Sequence, residues 1–138
     1  MDIETKTEVV KKKGKEFDTH PKVNLTCILE ECMGQVVLLE ELVRLFKQNI
    51  LEFLGNIRVR LQAQDYQGIA FACHKIKSCL RMMQIHSLLE IAEQMERVCK
   101  TDKDLKHLEF LYTQFLEEYP GIDEQVDSEL LALKNNQS

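Results

Sequence analysis

Helix breakers are scarce in this sequence: 138 residues hold only two prolines and five glycines. That excludes a fold of many short pieces joined by tight turns and favours long uninterrupted elements. No apolar run approaches the roughly 18 residues of a membrane span, so no membrane partner is expected. The chain has no basic excess, its net charge being −5, which argues against nucleic acid, since phosphate binding needs surplus positive charge. No glycine-rich phosphate loop and no kinase-type motif is found. The five cysteines (Cys27, Cys32, Cys73, Cys79 and Cys99) are odd in number and form no C-x-x-C pair. With no apolar leader at the N-terminus, a reduced cytoplasmic setting is expected, most cysteines serving as small core residues.

What is abundant is leucine, glutamate, lysine and glutamine, all good helix formers. Residues 1–22 are charged and only sparsely apolar, and read as a flexible tail whose Lys11–Lys15 cluster is a solvated run. A short helix over about 25–32 follows, with Asn24 as its cap and Gly34 in the turn beyond. Val36, Leu39, Val43, Phe46, Ile50, Phe53, Ile57 and Leu61 then recur at steps of three and four. They predict one helix over 35–62, with Gly55 inside it at a cost of about 1 kcal/mol. Asp65 stands as the N-cap of a second stripe, Ile69, Cys73, Ile76, Leu80 and Met83. A third comprises Leu88, Ile91, Met95 and Val98. Thr101 and Asp104 resemble a capping box before a fourth stripe, Leu105, Leu108, Leu111 and Phe115, which Pro120-Gly121 is expected to end. Val126, Leu130 and Leu133 allow a further short helix. The reading is all-α: an antiparallel four-helix bundle over 23–120 with a short N-terminal helix, a tail at 1–22 and an extension at 121–138. A monomer is expected.

Within ACHKIKSCLRMM, residues 72–83, His74 lies about 100° round the helix from core-facing Cys73. Lys77 and Ser78 are its i+3 and i+4 neighbours and Arg81 follows, so one exposed strip beside the core seam is positive in a negatively charged protein. Such a strip suits capture of a phosphoryl group. Neutral imidazole is nucleophilic near pH 7, Lys77 and Arg81 could neutralise the incoming charge, and Ser78 is small enough to let a partner approach. The phosphate would come from another protein. Taken alone, a surface histidine with lysine at i+3 is commonplace and usually without function.

The wider segment DYQGIAFACHKIKSCLRMMQIHSLLEIAEQME, residues 65–96, resembles the histidine phosphotransfer (HPt) domain family. In that family an Asp-led helix carries Ala-x-His-x-Leu-Lys-Gly-Ser, and the next helix carries Leu-Glu. Here Ala72, His74, Ile76 and Lys77 match the first motif, and Met95-Glu96 stands in the second. The likeness extends over about residues 24–118, including Phe46 and Leu61 ahead of Asp65. Ser78 stands where the family has glycine, and Gln84 where it tends to have glycine at the next turn. The resemblance implies that His74 is phosphorylated, that Lys77 is the family lysine and that Glu96 faces the site and the docking partner. It implies a relay intermediate in two-component signalling without kinase activity of its own. Partners would be response-regulator receiver domains and a hybrid sensor histidine kinase, with Mg²⁺ held by the receiver and no cofactor in this chain.

The alternatives are a bundle of the same shape acting only as a protein-binding adaptor, a metal site, and a cysteine enzyme. Cys73, His74, Cys79 and His86 match no zinc spacing. Cys73 and His74 diverge on the helix and cannot form a thiolate–imidazole pair. His20 and His107 read as surface residues, and His86 as a solvated or capping residue near a turn.

Overall fold

The computed structural model describes residues 23–136; the expected tail at 1–22, with the lysine cluster and His20, lies outside the described residues. Five helices follow one another: α1 (Leu25–Glu31), α2 (Val36–Gln62), α3 (Tyr66–Met82), α4 (His86–Lys100) and α5 (Leu105–Asn136). No strand occurs among the described residues. The four long helices pack as an antiparallel bundle, α3 lying between α2 and α4 and α5 closing the ring against both. None of these helices is long and apolar enough to cross a membrane.

The stripes read from spacing form the core. Leu39, Val43, Phe46, Ile50, Phe53, Ile57 and Leu61 of α2 are buried, facing Ile69, Cys73, Ile76 and Leu80 of α3. Leu88, Met95 and Val98 of α4 and Leu108, Leu111 and Phe115 of α5 complete it, and the Phe53 and Phe115 rings meet at 5.0 Å between centroids. The caps behave as expected at two starts. Asn24 accepts a hydrogen bond from the Cys27 amide, and Asp65 accepts one from the Gly68 amide at 2.9 Å while its other oxygen pairs with Arg60 at 2.6 Å.

The helix ends share a device that the sequence hides. After α1, α2 and α3 the chain turns through a left-handed residue, Met33, Gln64 or Gln84, at φ of 58°, 52° and 57°. At the end of α3 the Ile85 amide donates back to the Leu80 carbonyl at 3.0 Å and the Gln84 amide to the Arg81 carbonyl at 3.1 Å. This is the Schellman closure, completed by an apolar contact between its ends: Leu80 and Ile85 are both fully buried. Gln84 therefore takes the left-handed conformation that a glycine would adopt, and the turn closes without one.

Two expectations at α5 are overturned. Thr101 and Asp104 do not form one capping box: the Thr101 hydroxyl donates to the Arg97 carbonyl and closes α4, while Asp104 alone receives the His107 amide. Nor does Pro120-Gly121 end the helix, which runs on to Asn136, so the described part of the expected extension, residues 121–136, is the continuation of α5 into the bundle. Proline inside a helix costs about 3 kcal/mol through a lost hydrogen bond and a ring clash. Ile122 and Val126, both buried two and six residues on, return roughly 1.5–3 kcal/mol each. Polar ties reinforce the passage: Lys47 of α2 pairs with Asp123 and Asp127, and the Tyr119 hydroxyl donates to Asp123. Farther on, Glu129 accepts the Leu25 amide at the start of α1, and Lys134 pairs with Glu40.

Candidate functional site

His74 stands near the middle of α3 with its side chain 72% exposed. Beneath it, on α4, lies Glu96, whose side chain is only 9% exposed. The α3–α4 joint sets this placement by laying α4 back along α3, so that the carboxylate comes up under the imidazole. Nδ1 of His74 is 3.4 Å from Glu96 Oε2. Lys77 reaches Oε1 at 2.7 Å, and Lys100, one turn further along α4, donates to Oε2 at 2.9 Å. Burial pushes the Glu96 carboxyl up, but hydrogen bonds from the two ammoniums outweigh it and hold the group down at about 2. Glu96 is thus a fixed anion at neutral pH.

This geometry revises the expected positive strip. His74, Lys77 and Glu96 come together as foreseen, but Lys77 is only 15% exposed and committed to Glu96. It lies on the side of α3 that meets α4, so its stem packs in the seam and its charge is neutralised there. Glu96, expected at the docking face, is buried below that face and holds the ring from underneath. Arg81 lies seven residues from His74, about 10.5 Å along the helix, and its guanidinium turns to Glu93 of α4 at 3.7 Å. Ser78 is exposed beside the ring with its hydroxyl turned back onto the Lys75 carbonyl at 3.2 Å, leaving the approach open. Lys100 was missed in the sequence, although a glutamate four residues before a lysine on one helix is a recognisable pairing.

On the flank of α3 away from α4 runs a groove of about 370 Å³ between α2 and α3, lined among others by Asn49, Glu52, Asn56, Ser78 and Met82. Phe71, one turn before His74, is exposed, as is Met82. The phosphoacceptor candidate therefore sits on an exposed face edged by apolar side chains and by a groove of mixed lining, in which Phe53, Ile76 and Met82 stand among the polar groups.

The cysteines behave as core residues: Cys32, Cys73, Cys79 and Cys99 are buried, and Cys27 is exposed. Burial pushes the Cys73 thiol far up and the Cys99 thiol to about 11, so neither supplies a thiolate near pH 7. Cys79 accepts a hydrogen bond from the Asn49 side chain. Among the described residues no group of three or more His, Cys, Asp or Glu side chains is arranged to hold a metal ion. His86 opens α4 without capping it, and His107 is exposed.

A family model described as "Hpt domain" matches residues 41–136, more than half of the chain and all of α3 and α4. No curated protein and no solved structure matches it.

Proposed function

The chain belongs to the Hpt domain family, whose members carry phosphoryl groups on histidine in phosphorelays, and from that premise we propose that His74 is the phosphorylated residue. The observation that carries this reading is the pairing of a largely exposed imidazole with a buried carboxylate under Nδ1. A carboxylate that stays ionised can only accept, so the ring nitrogen facing it holds the proton. The lone pair then lies on Nε2, the far nitrogen of a side chain that is 72% exposed. Nε2 attacks the phosphorus of a receiver-domain aspartyl phosphate. As the new N–P bond forms, the P–O bond breaks and its electron pair leaves with the aspartate carboxylate. The reverse sequence, onto a second receiver, empties the carrier.

The remaining residues take supporting parts. Lys77 stands one turn from His74 and can share its ammonium between Glu96 and the phosphoryl oxygens. Arg81, held by Glu93, adds positive charge to the docking face from farther off. Ser78 leaves room for the receiver's active site, with Phe71 and Met82 as apolar contacts beside it. The partners are receiver domains, one of them fused to a hybrid sensor histidine kinase, in the cytoplasm. Mg²⁺ and the groups that activate the phosphoryl donor belong to the receiver, and this chain has no kinase activity and needs no cofactor.

The test is transfer of label from a phosphorylated receiver to the purified protein, with His74→Gln beside it. Acid-labile, alkali-stable label on the wild type and none on the variant is the expected result. If neither a full set of receivers nor phosphoramidate labels His74, the relay reading fails and the bundle is an adaptor.

A further inference from the structure

We infer that the outer face of α5 is the seat of the chain's own basic segment, residues 9–17, held along the helix by lysine–glutamate pairs with an apolar contact at each end. The inference is independent of phosphotransfer and begins with how charge is shared among the helices. The other long helices carry cations at their surfaces: Arg44 and Arg58 on α2, Lys75 and Arg81 on α3, Arg97 and Lys100 on α4. From Glu109 to Leu133, α5 holds carboxylates but no lysine or arginine. Some of these acids are engaged, Asp123 and Asp127 with Lys47 and Glu129 with the Leu25 amide. Glu117 and Glu124 are exposed and have no partner among the described residues.

These two glutamates belong to a longer row. Phe110, Glu117, Glu124 and Leu131 recur at seven-residue steps, which carry an α-helix through nearly two full turns and leave all four on one side. Phe110 and Leu131 are each 60% exposed. At Gly121, between the glutamates, the backbone is bare: nothing stands within 4 Å of where a Cβ would be. A chain crossing there can approach the helix closely. The face therefore reads apolar, acidic, acidic, apolar over about 31 Å.

Residues 9–17, VVKKKGKEF, read apolar, basic, apolar: Val9 and Val10, then Lys11, Lys12, Lys13 and Lys15, then Phe17. Extended, they span about 27 Å, the length of the row less the reach of the end side chains. The point of departure sets the direction. Val23 is buried, and the Leu25 amide is bonded to Glu129, so the segment leaves the bundle near the Leu131 end of the row. Residues 18–22 bridge up to about 20 Å, enough to pass from the start of α1 to the outer side of a helix about 10–12 Å across. Phe17 then meets Leu131, the lysines meet Glu124 and Glu117, and Val9-Val10 meets Phe110. In the bundle α3 and α5 are not neighbours, so this seat lies across the molecule from His74 and leaves that face open.

Limited trypsin digestion of the full chain, with the cuts mapped by mass and a free peptide of residues 9–17 as reference, tests the seat. Each exposed lysine–glutamate pair is weak and screened by salt, so the pairs act together with the apolar ends. Reversing both glutamates, Glu117→Lys with Glu124→Lys, should speed cleavage after Lys11, Lys12, Lys13 and Lys15 about tenfold at low salt. Adding Lys12→Glu and Lys13→Glu to that variant should restore the protection of Lys11 and Lys15, since the pairs re-form with their signs exchanged. Raising the salt should bring wild-type cleavage toward the rate of the peptide. Equal cleavage in the wild type and the reversed variant overturns the inference, and the lysines are then a solvated run. Protection that grows with protein concentration also overturns it, the occupant then being the segment of a second copy. Should the reversed variant fail to fold, wild-type cleavage at the rate of the peptide at low salt overturns the inference by itself.

Discussion

Glu96 links the chemistry of the site to the stability of the fold. Its carboxyl is held at about 2 in the folded protein against an ordinary value of 4.5. The unfolded chain therefore binds a proton more readily than the folded one as pH falls between those values. The stabilisation is complete above about 4.5 and is lost progressively as pH drops toward 2. Urea midpoints measured across this range should fall more steeply for the wild type than for Glu96→Gln. Lys77→Met keeps an apolar stem in the seam and removes the ammonium. It should cost roughly 1.5–3 kcal/mol, the range for a hydrogen bond to a charged group, read from the same denaturation curves at neutral pH. At this scale the sequence revealed His74, Lys77 and the facing Glu96. It could not reveal that Lys77 is turned inward or that Arg81 answers to Glu93, because both depend on how closely α4 lies against α3.

Elements were legible where apolar spacing was regular, and less so where a single residue had to be weighed against packing. The α2 and α3 limits follow from their stripes, and Asp65 marks the start of α3 as a short polar cap should. The joints show no glycine at Gln64 and Gln84, so their left-handed turns leave no sequence signal. Gln84→Gly should stabilise the protein by roughly 0.5–1 kcal/mol by relieving the backbone at φ 57°, measured as a rise in urea midpoint with unchanged m. Gly55 presents the opposite case: it lies inside α2 with nothing within 4 Å of where a Cβ would stand. Gly55→Ala should raise stability by about 0.5–1 kcal/mol. Pro120 misleads for a reason that sequence spacing hides. The carbonyl it deprives belongs to Leu116, an exposed residue, where water can take the missing bond. Ile122 and Val126 meanwhile continue the buried stripe.

Across the whole molecule, α5 does more than a fourth wall requires. It supplies core side chains past its proline, receives Lys47 through Asp123 and Asp127, and caps α1 through Glu129. Stopping the chain after Tyr119 removes all of these together with the buried Ile122 and Val126. Thermal unfolding of that truncated chain should begin far below that of the full one, or show no cooperative transition. The bundle architecture was legible from four stripes and short joints, but the tie between its two ends was not, since no local pattern announces a bond between residues 104 positions apart.

That bond bears on the order of assembly. Loop closure costs more entropy as the loop lengthens, and contacts between sequence neighbours form first. The α3–α4 hairpin, joined through Met83, Gln84 and Ile85, needs almost no loop, whereas the clasp of α1 on α5 must wait until Glu129 exists and has been brought back across the bundle. A chain growing from its N-terminus thus sets His74 over Glu96 while its last helix is still unmade, and the His74–Glu96 pair is among the earliest contacts to form and the fastening of the ends the latest.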